Sequence, residues 1–159
     1  MDKDLPNSRL SLASSLLPGY ARPIFAPPAT STQIAVLEVA LGCRLPPSVR
    51  SFFDAQDSIS AMDVHNGYSI GDSATLARSI LRRDFPNTID STCVFPIGSD
   101  GGGNPFLMPL SEEGPIWKWR HDAGEFVVVA DSFDLFLDRL ADDFRMFAAG
   151  RTEWDYMAG

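Results

Sequence analysis

The stretch CVFPIGSDGGGNPFLMPL, residues 93–110, constrains the fold more than any other part of the sequence. Its two ends predict strands at 93–97 and 105–110, because each is a short apolar run bounded by turn-forming residues. Residues 98–104 between them predict a tight turn, in which glycine supplies the positive φ angles that other residues avoid. This segment has no Gly-Lys-Ser/Thr, and no helix obviously follows it. A structural turn is therefore favoured over a phosphate-binding loop.

Two further strands are predicted downstream, at 116–120 and 126–130, with short polar turns between them. Such spacing is typical of an antiparallel meander. In the first of these strands Trp117 and Trp119 share one face and Ile116 and Lys118 the other, because side chains alternate along a strand. Another short strand is predicted at 68–70, after the turn formed by Asn66 and Gly67.

The last helix begins after Asp131 or Ser132, either of which can cap it. Apolar residues then recur at three- and four-residue steps, which indicates a helix with one buried face. These residues are Phe133, Phe136, Leu137, Leu140, Phe144 and Phe147. Gly150 is expected to end the helix.

Three helices are predicted before the meander. The first follows a capping box that starts at Thr30, and Gly42 ends it. The second follows Leu45-Pro46-Pro47, and the two helices are expected to pack together. The third begins near Asp72. The side chains expected to point inward from these helices are Ile34, Leu37, Leu41, Val49, Phe52, Phe53, Leu76, Ile80 and Leu81.

This order of elements predicts a single α+β domain at residues 30–150. We expect a mainly antiparallel central sheet of about five or six strands, flanked by about four helices. Residues 1–29 contain five prolines and are expected to form an extended or irregular arm that lies on the domain, partly as a strand or short turn. Residues 151–159 form a tail, in which Trp154 and Tyr156 are candidates to pack on the body.

The formal charge of the 159-residue chain is −8, from 21 acidic and 13 basic residues. A negative protein repels phosphate backbones, which disfavours direct nucleic-acid binding and favours a basic protein partner. The same charge also serves simply to keep a protein dissolved. No secretion signal or membrane-length apolar run is evident, so a cytoplasmic location is expected. Cys43 and Cys93 are expected to be free thiols in that compartment, with a disulfide as the alternative.

Several of these segments resemble the SUKH superfamily, which includes the Smi/Knr family. The similarity runs from about Thr30 to Leu140 and rests on four places in order. They are the helix that ends in Gly-x-x-Leu-Pro with Glu38, the VRSFF segment at 49–53, the strand and glycine turn at 95–104, and the strand-to-helix junction around 129–137. The sequence departs from the family at Gln56, where Asn-Gly is common, and at Asn104, where many relatives have Asp.

The resemblance implies a non-catalytic fold that binds other proteins. In bacteria, such proteins often act as immunity proteins that hold a cognate toxin inactive inside the producing cell. Fungal relatives imply the alternative of a regulatory scaffold that binds an endogenous partner. The resemblance supplies no catalytic residue and no cofactor.

The last helix also carries a row of carboxylates. Asp134, Asp138 and Asp142 recur every four residues and therefore share one face. Like charges at this spacing repel each other, so the row is either a solvated face or a surface for a basic partner, such as a nuclease toxin. The residues predicted to bind the partner are Glu112, Glu113, Trp117, Trp119, Asp134, Asp138 and Asp142.

Nothing in the sequence favours an enzyme. The only histidines, His65 and His121, lie beside predicted turns, and Ser99 does not match a Gly-x-Ser-x-Gly elbow. A small hydrolase that uses Cys93 and His121 stays a third hypothesis, since a nucleophile needs a neighbouring base. The spacing of His, Cys and acidic residues matches no zinc or calcium motif, so no metal is expected.

Overall fold

A computed structural model describes residues 6–64, 66–110 and 113–152. Within these ranges the chain forms five α-helices and eight strands. The helices are α1 (Pro6–Ser14), α2 (Ser31–Leu41), α3 (Pro47–Ala55), α4 (Ser73–Arg82) and α5 (Phe133–Ala148). The strands are β1 (Ile24–Phe25), β2 (Ser58–Ala61), β3 (Tyr68–Gly71), β4 (Thr88–Ile89), β5 (Thr92–Ser99), β6 (Pro105–Pro109), β7 (Ile116–Arg120) and β8 (Glu125–Ala130).

The strands form one sheet in the order β1-β2-β3-β5-β6-β7-β8, and β4 pairs with β5 outside this path. Every pairing is antiparallel, which confirms the predicted α+β class and the meander from β5 to β8. The number of strands is higher than the predicted five or six. The missed strands β2 and β4 are only four and two residues long, so they carry too little alternation to be recognised, whereas β1 lies in the arm that was expected to be partly a strand.

Helix α1 corrects the prediction of an extended or irregular N-terminal arm. Pro6 is its first residue, a position where the missing N–H costs nothing. Leu10 and Ala13 are buried in the main core, and α1 packs against α5. The remainder of the arm includes a single 3-10 turn at Gly19–Ala21 and the short strand β1.

The predicted helix caps are confirmed. The Thr30 hydroxyl accepts from the Gln33 N–H at 3.1 Å, and the Gln33 side chain accepts from the Thr30 N–H at 2.8 Å. Gly42 ends α2 with a φ of 76°, in the left-handed region. Asp72 caps α4, where its carboxylate accepts from the Thr75 N–H at 2.7 Å.

Two predictions about these helices are wrong. Helix α2 packs mainly against α4 rather than against α3. Leu81 was expected to point inward, but it is 70% exposed, whereas Leu76 of the same helix is buried. Helix α4 ends at Arg82, one residue after Leu81, and Arg83 follows in the left-handed conformation.

The main apolar core lies between the helices and one face of the sheet. Aromatic side chains of α3, β6 and α5 meet there: the rings of Phe52 and Phe133 are 5.7 Å apart, and those of Phe106 and Phe136 are 4.9 Å apart. A smaller cluster of Ile89, Val94 and Leu107 lies apart from this core. No helix within the described ranges is long and apolar enough to cross a bilayer.

Candidate partner-binding site

Helix α5 places three of the predicted acidic residues on one face. The Ser132 hydroxyl caps the helix by accepting from the Leu135 N–H at 3.1 Å. Asp134, Asp138 and Asp142 then follow at four-residue steps along the surface opposite the Phe and Leu stripe. Asp143, which follows Asp142, does not share this exposed face: it is buried, and its carboxylate accepts from the Asn66 side chain at 2.7 Å.

Asp138 is paired with a residue far away in the sequence. Arg9 of α1 donates from Nε and Nη2 to the two carboxylate oxygens of Asp138, at 2.7 and 3.0 Å. Two parallel bonds of this kind fix both side chains and neutralise the charge locally. Arg9 therefore links α1 to α5 and removes part of the negative potential that the row of carboxylates would otherwise have.

Asp142 has a partner on its own helix. Its Oδ1 accepts from Arg145 Nη1 at 2.7 Å, and both side chains are substantially exposed. Surface pairs of this type stabilise a protein by at most about 1 kcal/mol, so both groups can be redirected easily toward a partner.

Glu113 acts as a cap for a second helix. Its carboxylate accepts from the Ser48 N–H at 3.2 Å and from the Ser48 hydroxyl at 2.8 Å. Ser48 lies in the first turn of α3, where unpaired N–H groups and the helix dipole favour an anion. Glu113 is consequently held beside the start of α5.

Asp134 is exposed and makes no hydrogen bond or ion pair with the described residues. Partial burial and the nearby negative charges of Glu113 and Asp138 raise its pKa, and Arg9 offsets part of this effect. Asp134 and Glu113 line a hollow of about 530 Å³ whose other walls come from α1, α3 and Ser132. We call this hollow, with Glu113, Asp134 and Asp138, the acidic hollow.

The two tryptophans do not belong to the acidic hollow. Along β7, Ile116 packs into the main core that contains α5, while Trp117 and Trp119 pack on the smaller cluster with Leu107. They therefore lie on the face of the sheet opposite α5, as the alternation in a strand requires. Glu112, also predicted as a partner contact, lies outside the described residues.

A polar corner lies at the turn between β5 and β6. Asp100 Oδ1 accepts from the N–H groups of Gly102 and Asn104, both at 2.9 Å, and Asp100 Oδ2 is 3.2 Å from Lys118 Nζ. Burial would raise the pKa of Asp100, but the hydrogen bonds from Asn104 and the Lys118 ammonium outweigh it and lower the pKa. The structural-turn interpretation is confirmed, with Gly103 at a φ of 82°.

The histidines and cysteines show no arrangement for chemistry in the described part of the chain. His121 is exposed, and its Nδ1 lies 2.8 Å from Asn104 Oδ1. Cys43 and Cys93 are free thiols, and burial together with Glu38 raises the pKa of Cys43. No group of three or more His, Cys, Asp and Glu suited to a metal ion occurs among the residues described. His65 lies outside them.

Sequence reasoning missed Arg9 and Ser48 as parts of this site. No local signal identifies Arg9, because its partner is 129 positions away. Ser48 could have been suspected, since it lies in the first turn of a predicted helix, where N–H groups attract carboxylates.

Comparison with models of known protein families identifies a match. A family model described as the SMI1 / KNR4 family (SUKH-1) matches residues 28–139 of the 159-residue chain. The match covers α2 through the start of α5 and leaves α1 outside. No curated protein matches the chain.

Proposed function

Because the chain belongs to the SMI1 / KNR4 family (SUKH-1), we propose that it is an immunity protein that binds a cognate bacterial toxin and holds it inactive. The neutralisation takes place by direct protein contact inside the producing cell, without catalysis. The resemblance in sequence to bacterial immunity proteins and the acidic surface described above support this proposal.

The observation that carries the proposal is the state of Asp134 in the acidic hollow. Its carboxylate forms no ion pair with the described residues, and its pKa is raised by partial burial and by the nearby charges of Glu113 and Asp138, which Arg9 offsets only in part. Mutual repulsion of this kind is relieved when a positive group enters. A lysine or arginine of a partner that enters the hollow between α1 and α3 would gain mainly from Asp134 and Glu113, which line it.

A basic toxin suits this surface, and a nuclease is the chemical class that we favour. Nucleases carry a cationic cleft for phosphates, and carboxylates can occupy the same cleft as a polyanion does. Asp138 and Asp142 contribute less than Asp134, because Arg9 and Arg145 already pair with them.

The exposed side chains of Phe126 and Val128, next to the tryptophans, form a separate apolar surface.

The test measures association with the toxin encoded beside this gene, at low and at high ionic strength. Asp134→Lys is expected to slow association at least about tenfold at low salt, and the difference should shrink as salt screens the charges. Asp122→Lys is the matched control, because Asp122 is also exposed but lies in the turn between β7 and β8. It should change the rate much less.

Two outcomes separate the parts of the proposal. If the unmodified protein fails to protect cells from that toxin, the immunity role is wrong. Recovery of a stable endogenous partner from the source cell would then favour the regulatory-scaffold alternative. If protection is intact and Asp134→Lys binds as fast as Asp122→Lys, the immunity role stands and the acidic hollow is not the contact.

A further inference from the structure

A pocket of about 250 Å³ is lined by residues of α2, α4, β4 and β5. Much of its lining is apolar, including Ile80 of α4, the partly buried Phe85 and the buried Val94 of β5. Its polar lining residues are Ser79, Arg83, Asn87, Thr88 and Cys93. Pockets that bind small molecules typically combine an apolar lining with a few polar groups of this kind. We call it the Arg83 pocket.

Arg83 is the one charged residue among the described residues that line this pocket. Its guanidinium makes no hydrogen bond and no ion pair with any residue that the structure describes. Helix α4 also carries Arg78 and Arg82 and no carboxylate, so the potential here is more positive than the formal charge of −8 suggests. A cation that lines a pocket without a partner of its own is suited to bind an anion.

The backbone of Arg83 makes arginine an unusual residue for this position. Arg83 follows α4 with a φ of 56°, in the left-handed region. The residues with this conformation after α2 and α5 are Gly42 and Gly150, because glycine adopts it without steric cost. Arg82, in the last turn of α4, already places a cation near the negative end of the helix. The stability of the helix end therefore does not explain an arginine at position 83.

We propose that the Arg83 pocket binds a carboxylate attached to a compact apolar group, with Arg83 as the cation that recognises it. The planar guanidinium matches the two oxygens of a carboxylate. One arginine balances one carboxylate, whereas a phosphate group would bring excess negative charge to a protein of formal charge −8. The apolar group of the ligand would displace water from Ile80, Phe85 and Val94.

Three further polar side chains are available to the same ligand. Ser79, Asn87 and Thr88 line the pocket, and their side chains make no hydrogen bond with the described residues. The volume lies below the range of about 300–1,000 Å³ that is usual for larger ligands, so the pocket suits a small free acid or the last residue of a polypeptide. Both sources present the same chemistry.

This binding site is independent of the proposed immunity role. The Arg83 pocket shares no lining residue with the acidic hollow, where carboxylates would repel an acidic ligand. Failure of toxin binding would leave the proposal intact.

Amide NMR of the full chain tests the proposal with benzoate and with the tripeptide Gly-Gly-Phe, whose free carboxylate represents the end of a protein chain. Benzamide and the amidated tripeptide are the matched uncharged probes. At least one acid is expected to bind with a dissociation constant of about 1 mM or below and to shift the amides of residues 79–96. The acid that binds more tightly identifies the source. If neither binds below about 10 mM, or if the uncharged probes bind equally well, the proposal is wrong.

The variant Arg83→Gly separates recognition from folding. It should weaken binding of the acid at least about tenfold, because the charged partner is lost. It should leave the temperature of thermal unfolding within about 2 °C, because glycine adopts the left-handed conformation without strain. Arg82→Ala is the matched control, since Arg82 is also exposed but does not line the pocket, and it should change the dissociation constant less than about threefold. Equal losses in the two variants would indicate general charge attraction and overturn the assignment to Arg83.

Cys93 provides a second measure of where the acid binds. Its thiol is free and exposed, and Cys93 lines the pocket. In a Cys43→Ser variant it is the single cysteine left in the chain, so alkylation by iodoacetamide, followed by mass, reports on this position alone. The acid should slow alkylation about tenfold at ten times its dissociation constant. Unchanged alkylation under an acid that is bound would place the ligand outside the Arg83 pocket and contradict the proposal.

Discussion

At the scale of single residues, Asp100 combines burial with several polar partners. Its carboxylate accepts from two backbone N–H groups and faces the Lys118 ammonium, and both side chains are almost wholly buried. We expect Asp100→Ala to lower the free energy of unfolding by roughly 3 kcal/mol, because two backbone N–H groups and the buried Lys118 ammonium lose the carboxylate that they face. Denaturant unfolding measures this. Asp122→Ala, which replaces an exposed aspartate, should change the free energy of unfolding by less than about 0.5 kcal/mol.

Asp100 also predicts the direction in which the stability of the folded state changes with pH. The pKa of Asp100 is lowered from its ordinary value of 3.8. Ionised Asp100 therefore stabilises the folded state above pH 3.8, and this contribution is lost as the pH falls through the lowered pKa. The difference in stability between the unmodified protein and Asp100→Asn should shrink in that acidic range. A constant difference from neutral to strongly acidic pH would contradict the role given to this carboxylate.

The residue scale also shows where reading the sequence succeeds and fails. The period of α5 places Asp134, Asp138 and Asp142 on one face, because a helical face depends only on local spacing. The same pattern says nothing about Arg9, which removes much of the Asp138 charge from 129 positions away. Asp143 shows the same limit, because its burial depends on Asn66 from another element. The helix face on which each aspartate lies was predictable from the sequence, but its hydrogen-bond partner in the folded protein was not.

At the scale of elements, α1 makes the clearest prediction, because it lies outside the family match but contributes to the core. Leu10 is fully buried against α5, and Leu12 of the same helix is 51% exposed. We expect Leu10→Ala to cost about 2–5 kcal/mol of stability, since it removes buried methyl groups and leaves a cavity. Leu12→Ala should cost less than about 0.5 kcal/mol. Equal effects in a denaturant titration would show that α1 is not part of the folded unit.

The elements that the sequence predicted correctly are those with strong local signals. The capping box at Thr30 and the proline at the start of α3 specify helix starts without tertiary information. Helix α1 was missed because its serines weaken the apolar period and prolines surround it, so packing on α5 decides its conformation. Leu81 was assigned to the wrong side because its spacing from Leu76 and Ile80 fits either edge of a buried stripe.

At the scale of the whole molecule, the acidic hollow is separate from the exposed apolar side chains of α2 and α4. Val39 and Leu81 line a different depression, of about 470 Å³, which shares no residue with the acidic hollow. Distant sites contribute additively, so Asp134→Lys combined with Val39→Lys should show the sum of the two single effects on the free energy of toxin binding. Titration calorimetry at a fixed salt concentration measures these sums. A deviation above about 0.5 kcal/mol would mean that the surfaces communicate.

The packing of α1 on α5 has a consequence for biosynthesis. Helix α1 is translated long before α5, on which it docks, so Leu10 and Ala13 stay without that cover until residues 133–148 have been made. Contacts between such distant positions form late and slow the final step of folding. The nascent chain must therefore wait for α5, and a ribosome that stalls before residue 133 holds an incomplete domain in which α1 is not covered.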